Sequence, residues 1–445
     1  MCFFYLFHYI CINKTQQKMA RRLSKKKISG WILLFTTIFF IRCGGAKKVS
    51  TAVKEMFAKH NTVTTQKKKS PVDLIVDDRL VVRLDSFVNA TNRLGTLGVY
   101  VYDETANKEV YAFRADSLMR PASNMKMLTC LAAVRRFGQA HHFTSGAYMK
   151  GKMEQDTLIG SIGLKFTFDP WFNTDSLAKL ASAFQQQGIR RVKGKVILDL
   201  MMKEPMQHEE HWTIGDLKMR KLGILFRGEQ RMRSELMYAL RSHGVNFADS
   251  QLVLGKVPAD AKLIGITSSS MHRSVFRALQ NSSNEQAECL SYALAKPFLK
   301  NENYREAAAQ FLRYFVRNEL NIDPDSVCVI HDGSGLCVHD RLSPRFLVRM
   351  LHYAYAHKYI YNELRRCLPI SGKTGTLYDR MLKPSVRGKI QAKTGTLTRE
   401  DGITSLSGYV TGSNGHLLLF GIIQNEVPVA DARLWQNRFC EQLVK

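Results

Sequence analysis

The stretch Arg120-Pro-Ala-Ser-Asn-Met-Lys-Met-Leu-Thr-Cys-Leu-Ala-Ala-Val-Arg-Arg-Phe-Gly138 constrains the chain more than any other. Met125, Leu128, Cys130, Leu131, Val134 and Phe137 cover a helix on every side rather than along one stripe, so this helix belongs inside a domain. The pattern predicts one helix, with Pro121 at its start, where a missing N–H costs nothing, and Gly138 as its stop after Arg135 and Arg136. Ser123 then lies in the first turn and Lys126 shares its face, about 5–6 Å away at Cβ. Burial favours a neutral amine, which can take a hydroxyl proton, and the free N–H groups at a helix start can hold a developing oxyanion. The same S-x-x-K spacing occurs at Ser24–Lys27, in a basic arm, and at Ser176–Lys179, on a polar helix face. Spacing alone therefore leaves both a nucleophile and a coincidence open for Ser123.

At 445 residues, 45% of them hydrophobic, the chain has room for two or three domains around a sizeable core. Its formal charge of +27 is unevenly spread: residues 1–70 hold 15 Lys or Arg against a single acid, Glu55. With no zinc spacing, no RNP-like aromatic run and no helix-turn-helix pattern, nucleic acid is not the expected partner. An anionic lipid surface or wall polymer is. Met19-Ala-Arg-Arg-Leu-Ser-Lys-Lys-Lys27 and the apolar Ile28–Ile41 read as the charged and hydrophobic regions of an export signal. Cys43, directly after them, is a possible lipid anchor, with an uncleaved signal anchor as the alternative. Both place the rest of the chain on the periplasmic side of the cell envelope, attached to a membrane. The nine Cys contain no C-x-x-C; Cys130 and Cys289 read as small core residues, and Cys328 and Cys337 could pair across a turn if this part lies outside the cytoplasm, with free thiols the favoured reading.

Along the chain, residues 1–43 are the signal or anchor and 44–70 a Lys-rich tether. Residues 71–142 begin a domain with a helix near Leu74–Asn89 and a hairpin, Leu97–Tyr102 with Val110–Phe113, feeding into the Ser123 helix. Residues 143–261 change to short strands and turns around helices at Asp175–Gln187 and Arg231–His243, and read as an inserted domain. Within it His208-Glu-Glu-His211 lacks the spacing of H-E-x-x-H and reads as an exposed polar loop. Residues 262–445 resume the first domain: a helix from Ser268, another after Asn281-Ser-Ser-Asn284, where Ser282 or Ser283 could simply cap it, then a meander and a final helix. The pairs His331-Asp332 and His339-Asp340 lack the separated partners of a metal phosphohydrolase.

S-x-x-K, S-x-N and K-T-G occur in that order at Ser123/Lys126, Ser282/Asn284 and Lys393/Thr394/Gly395, the signature set of penicillin-recognising serine enzymes. With Asp332-Gly-Ser-Gly-Leu336, Leu342-Ser-Pro344, Leu368-Pro-Ile-Ser-Gly372 and Ala392-Lys-Thr-Gly-Thr-Leu-Thr398, the chain from about Asp73 onward resembles the low-molecular-mass class C penicillin-binding proteins. This is the D-alanyl-D-alanine carboxypeptidase/endopeptidase family of the penicillin-binding protein 4 type. Gly375-Thr-Leu377 matches what that family carries upstream of its motif, which makes Lys373 a lookalike. The insert is shorter than the family usually carries, and Ser283 and Cys337 stand where Asp and Ser are common.

The resemblance implies an α+β fold, an antiparallel sheet between helix layers with a smaller α/β insert. It implies a hydrolase acting on peptidoglycan stem peptides and acylated by β-lactams, with no cofactor or metal in the chemistry. Ser123 would attack, Lys126 take its proton and Ser282, near Lys126, relay it to the leaving amine. Asn284 would hold the substrate amide, Lys393 and Thr394 its carboxylate, Gly395 would admit its backbone, and the N–H groups of Ser123 and Thr396 would form the oxyanion hole. Rivals on the same fold are a β-lactamase, which needs a dedicated deacylating base, and a wall-binding relative without catalysis.

Overall fold

The computed structural model describes residues 76–91, 95–213, 223–300 and 303–445; the expected export signal, Cys43 and the tether lie outside the described residues. The main sheet is antiparallel and five-stranded, in the order Ile390–Leu397, Ile403–Thr411, Leu417–Asn425, Thr96–Asp103, Lys108–Phe113. The expected hairpin forms its outer pair, and it joins the C-terminal meander by pairing Thr96 with Asn425 and Asp103 with Leu418. Leu417–Asn425 is buried almost from end to end, because helices cover both faces of the sheet. On one face the helices Asp78–Thr91 and Val429–Leu443 send Leu84, Val88, Phe439 and Leu443 into one core with Val99, Leu406 and Ile422. On the other, the helix Pro344–Ala356 packs so closely that a Cβ on Gly421 would stand 2.7 Å from the Pro344 carbonyl. Behind it the helix Met125–Phe137 is surrounded by other helices, Met271–Gln280, Asn284–Ala295 and Lys358–Cys367 among them, and every residue from Met125 to Arg135 is buried. The all-round apolar pattern thus ends up enclosed, as its composition requires.

A second, mixed sheet follows that helix. Its strands run in the order Leu252–Leu254, Val196–Asp199, Thr157–Lys165, His142–Glu154, Lys262–Ser270, with Arg191–Lys193 beside Thr157–Lys165. The sheet extends past Ala261, since Lys262–Ser270 pairs antiparallel with His142–Met149. This delays the helix expected from Ser268: Ser268–Ser270 complete the strand, and Ser270 then caps Met271–Gln280 by accepting a hydrogen bond from the Arg273 N–H at 3.4 Å.

In the loop His208–His211, His208 and Glu210 are exposed as expected, but Glu209 is not. Glu209 is only 1% exposed, and its carboxylate accepts the His211 N–H at 2.8 Å. The loop is folded inward by Trp212, whose indole N–H donates to Asp332 at 2.8 Å. The six described cysteines are free and buried, Cys328 and Cys337 among them.

Candidate active site

The Ser123 helix starts later than its sequence suggests. Pro121 leads into one 3-10 turn, Ala122–Asn124, and α-helical bonding begins at Met125. Ala122 has φ 45°, a left-handed conformation that costs an L-residue about 1–2 kcal/mol. The turn is held down by Asn124, whose amide donates to Ser405 Oγ at 2.7 Å and to the Lys393 carbonyl at 3.2 Å, while its Oδ1 accepts from Ser407 Oγ at 2.6 Å. These bonds tie the turn to the sheet before the helix begins, and they leave Ser123 partly exposed among buried neighbours. Asn124 was visible in the sequence only as the residue after the serine, with nothing to set it apart.

Lys126, fully buried, donates to Ser123 Oγ at 2.8 Å, to Asn284 Oδ1 at 2.7 Å and to the Ser334 carbonyl at 2.6 Å. Burial lowers its pKa to about 8, against the opposing pull of Asp332 and Glu288. The turn beneath it is built by Asp332, whose carboxylate accepts the N–H groups of Ser334 at 2.9 Å, Gly335 at 2.5 Å and Cys337 at 2.7 Å. Glu288 accepts the Gly333 N–H at 3.1 Å, and burial, reinforced by Asp332, pushes its pKa up to about 8. The sequence marked this turn through its glycines; the carboxylates that shape it acquire their setting only in the fold.

The other motif residues converge on the same place. Lys393 and Gly395 lie on the edge strand Ile390–Leu397, and Lys393 donates to Ser282 Oγ at 2.8 Å. Burial, with Lys126 as a like charge, holds the Lys393 pKa well below its usual value. Thr394 Oγ1 donates to Thr376 Oγ1 at 2.6 Å, so the segment that resembles the motif without being it lies against the real one. A Cβ on Gly395 would come within 2.2 Å of Ser405 Oγ, 2.6 Å of the Pro121 carbonyl and 3.2 Å of the Ser123 nitrogen, so only glycine lets the strand lie against the serine turn. Thr396, one residue on, is half-buried and its hydroxyl donates to the Gly395 carbonyl.

Ser282 and Asn284 divide the two lysines between them. Ser282 accepts from Lys393, while Asn284 rather than Ser282 touches Lys126. The cause is the turn into the helix Asn284–Ala295: Ser282 has φ 56°, and Ser283 is the N-cap, accepting the Gln286 N–H at 3.3 Å. A cleft of about 830 Å³ opens beside these residues, with Trp171, Arg231, Arg277, Ser282 and Asn284 on its wall. The arrangement offers a hydroxyl bonded to a readily neutralised amine, a second lysine nearby and an open sheet edge: the parts of an acyl-transfer site.

The chain matches the D-Ala-D-Ala carboxypeptidase 3 (S13) family over residues 80–222 and 224–441. It is 29% identical over 430 residues to a D-alanyl-D-alanine carboxypeptidase of Actinomadura sp., covering 74% of this chain and 77% of that protein. It is 20% identical over 401 residues to the D-alanyl-D-alanine carboxypeptidase DacB of Haemophilus influenzae, covering 71% and 82%. Among solved structures, penicillin binding protein 4 from Haemophilus influenzae has the same fold, with a TM-score of 0.68 at 18% identity over 81% of this chain and 98% of that one. A predatory peptidoglycan endopeptidase from Bdellovibrio bacteriovorus gives 0.55 at 14% identity, over 79% and 92%.

Proposed function

The chain belongs to the D-Ala-D-Ala carboxypeptidase 3 (S13) family, and on that premise we propose that Ser123 is the nucleophile of a D-Ala-D-Ala carboxypeptidase and endopeptidase. The observation that carries this is the 2.8 Å bond from Lys126 to Ser123 Oγ, made by an amine whose burial brings its pKa to about 8. At neutral pH about a tenth of such amines are free to accept a proton. Ser123 Oγ bonds to the carbonyl carbon of the penultimate D-Ala as its proton passes to Lys126. The Ser123 and Thr396 N–H groups hold the oxyanion, the C–N bond breaks, and the proton held on Lys126 passes to the departing amine, with Ser282, whose hydroxyl Lys393 holds, as a second polar group at the site rather than the relay. Water then releases the acyl group.

The peptide lies along the edge of Ile390–Leu397, with its terminal carboxylate at Lys393 and Thr394 and its amide at Asn284. Binding a carboxylate beside Lys393 restores the charge that burial disfavours. Digestion of cross-linked muropeptides tests the reading: the wild type releases D-Ala and opens cross-links, and Ser123→Ala does neither. Release of both products by Ser123→Ala would end it. We further propose that the chain works on the periplasmic side of the envelope, held to a membrane by residues 1–43 through the Cys43 lipid site or the uncleaved apolar segment. The cationic run before Ile28–Ile41 supports that orientation.

A further inference from the structure

Around the Asp332 turn, side chains from two stretches more than a hundred residues apart in sequence come together. Glu209 and His211 arrive from the inward-folded loop of the inserted region, and His331, Cys337 and His339 from the turn that carries Ser334. The ligand atoms of Glu209, His211 and Cys337 all lie within 4.8 Å of one another. His211 Nδ1 stands 2.9 Å from Glu209 Oε1 and 4.0 Å from Cys337 Sγ, and His331 Nδ1 stands 3.8 Å from the same Glu209 oxygen. The His339 ring centroid is 4.0 Å from that of His211, and the His339 N–H donates to Cys337 Sγ at 3.4 Å. Four donors around a zinc-like ion, at bond lengths of about 2.0–2.3 Å, sit about 3.3–3.8 Å from one another, so small rotations would complete the shell.

We propose that Glu209, His211, His331 and Cys337 bind one divalent transition-metal ion of the zinc class, with His339 flanking the shell. Binding releases the Cys337 thiol proton, and the thiolate and the Glu209 carboxylate together neutralise the ion's two charges. Imidazole, thiolate and a single carboxylate are a zinc-type donor set and a poor one for magnesium or calcium. The His339 N–H bonded to the sulfur is the outer support such ligands usually carry. The ion clamps the loop 207–213 onto the turn 331–340. That turn presents the Ser334 carbonyl to Lys126 and the Gly333 carbonyl to Thr129, at 2.6 Å each. The site is separate from the acylation chemistry and positions its base.

A second group, His272, Glu363 and Cys367, offers only three donors and serves as the control; an arginine stands 3.8 Å from the carboxylate in both groups, Arg305 at Glu209 and Arg366 at Glu363, so the donor count is what separates them. The test uses the full chain, stripped with EDTA under a non-thiol reductant and titrated with Co²⁺. The wild type is expected to develop a thiolate-to-cobalt band and strong tetrahedral visible bands, saturating at one equivalent and displaced by Zn²⁺. Cys337→Ser removes the thiolate band, His211→Gln weakens binding at least tenfold, and Cys367→Ser changes neither. Zn²⁺ raises the wild-type melting temperature by a few degrees and slows amide exchange across 331–340. Melting of each variant in EDTA reports folding, and His211→Gln, altering a partly exposed ring, carries the test if Cys337→Ser fails to fold. Weak octahedral cobalt bands only, a thiolate band that survives Cys337→Ser, or its loss in Cys367→Ser would overturn the assignment. None of these results touches Ser123.

Discussion

Residues at the site draw their properties from burial more than from identity. Lys126 is a strong base in water; enclosed beneath Ser123, its pKa falls to about 8. Below that pH the free amine becomes tenfold scarcer with each unit, so the second-order rate of acylation by a β-lactam rises about tenfold per unit from pH 6 to near 8 and then levels. A stopped-flow profile checks this, and a rate flat from pH 6 to 9 would remove Lys126 as the base. Asn124 makes no claim on substrate, yet it bridges Ser405, Ser407 and the Lys393 carbonyl. Asn124→Ala leaves buried partners unsatisfied and is expected to cost about 2–3 kcal/mol. Denaturant unfolding measures the loss, and a change under about 0.5 kcal/mol would contradict the role given to Asn124.

Elements show where local sequence is informative and where it is not. The buried helix, the hairpin and the three-strand meander were legible because each carries its own periodicity and turn residues. The start of the Ser123 helix was not, because contacts to Ser405 and Ser407, almost 300 residues away in sequence, decide it. The partners of Ser282 and Asn284 were hidden for the same reason: past one left-handed residue Ser282 meets Lys393 instead of the expected Lys126, and Asn284 meets Lys126. Within His208–His211 the burial of Glu209 was missed because a polar four-residue stretch carries no sign of the Trp212–Asp332 bond beside it. Gly335 shows how tightly two elements are fitted. It has φ 75°, and a Cβ there would lie 1.9 Å from the Ala122 carbonyl. Gly335→Ala is expected to cost about 3 kcal/mol or more and to cut penicillin labelling sharply, because the turn that holds Lys126 and the turn that holds Ser123 must separate. Labelling and melting measured together check this, and a variant indistinguishable from wild type in both would contradict it.

For the molecule as a whole, the five-stranded sheet is assembled from residues 96–113 and 390–425, so the site depends on closure between distant parts of the chain. No helix among the described residues is long and apolar enough to cross a membrane. A chain starting at Pro71 is expected to label with penicillin at the full chain's rate while losing the full chain's sedimentation with uncharged vesicles, and retained sedimentation would contradict an anchor in residues 1–43. The carboxylates beneath Lys126 are engaged by the N–H groups of the Asp332 turn, so the acyl-enzyme formed with penicillin is expected to hydrolyse slowly. The most direct measurement of the central claim is peptide mass spectrometry after brief exposure to penicillin. We expect one penicilloyl group per chain, carried on Ser123, persisting over many minutes and absent from Ser123→Ala. An adduct retained in Ser123→Ala, or rapid turnover of penicillin by the wild type with no adduct trapped, would contradict it.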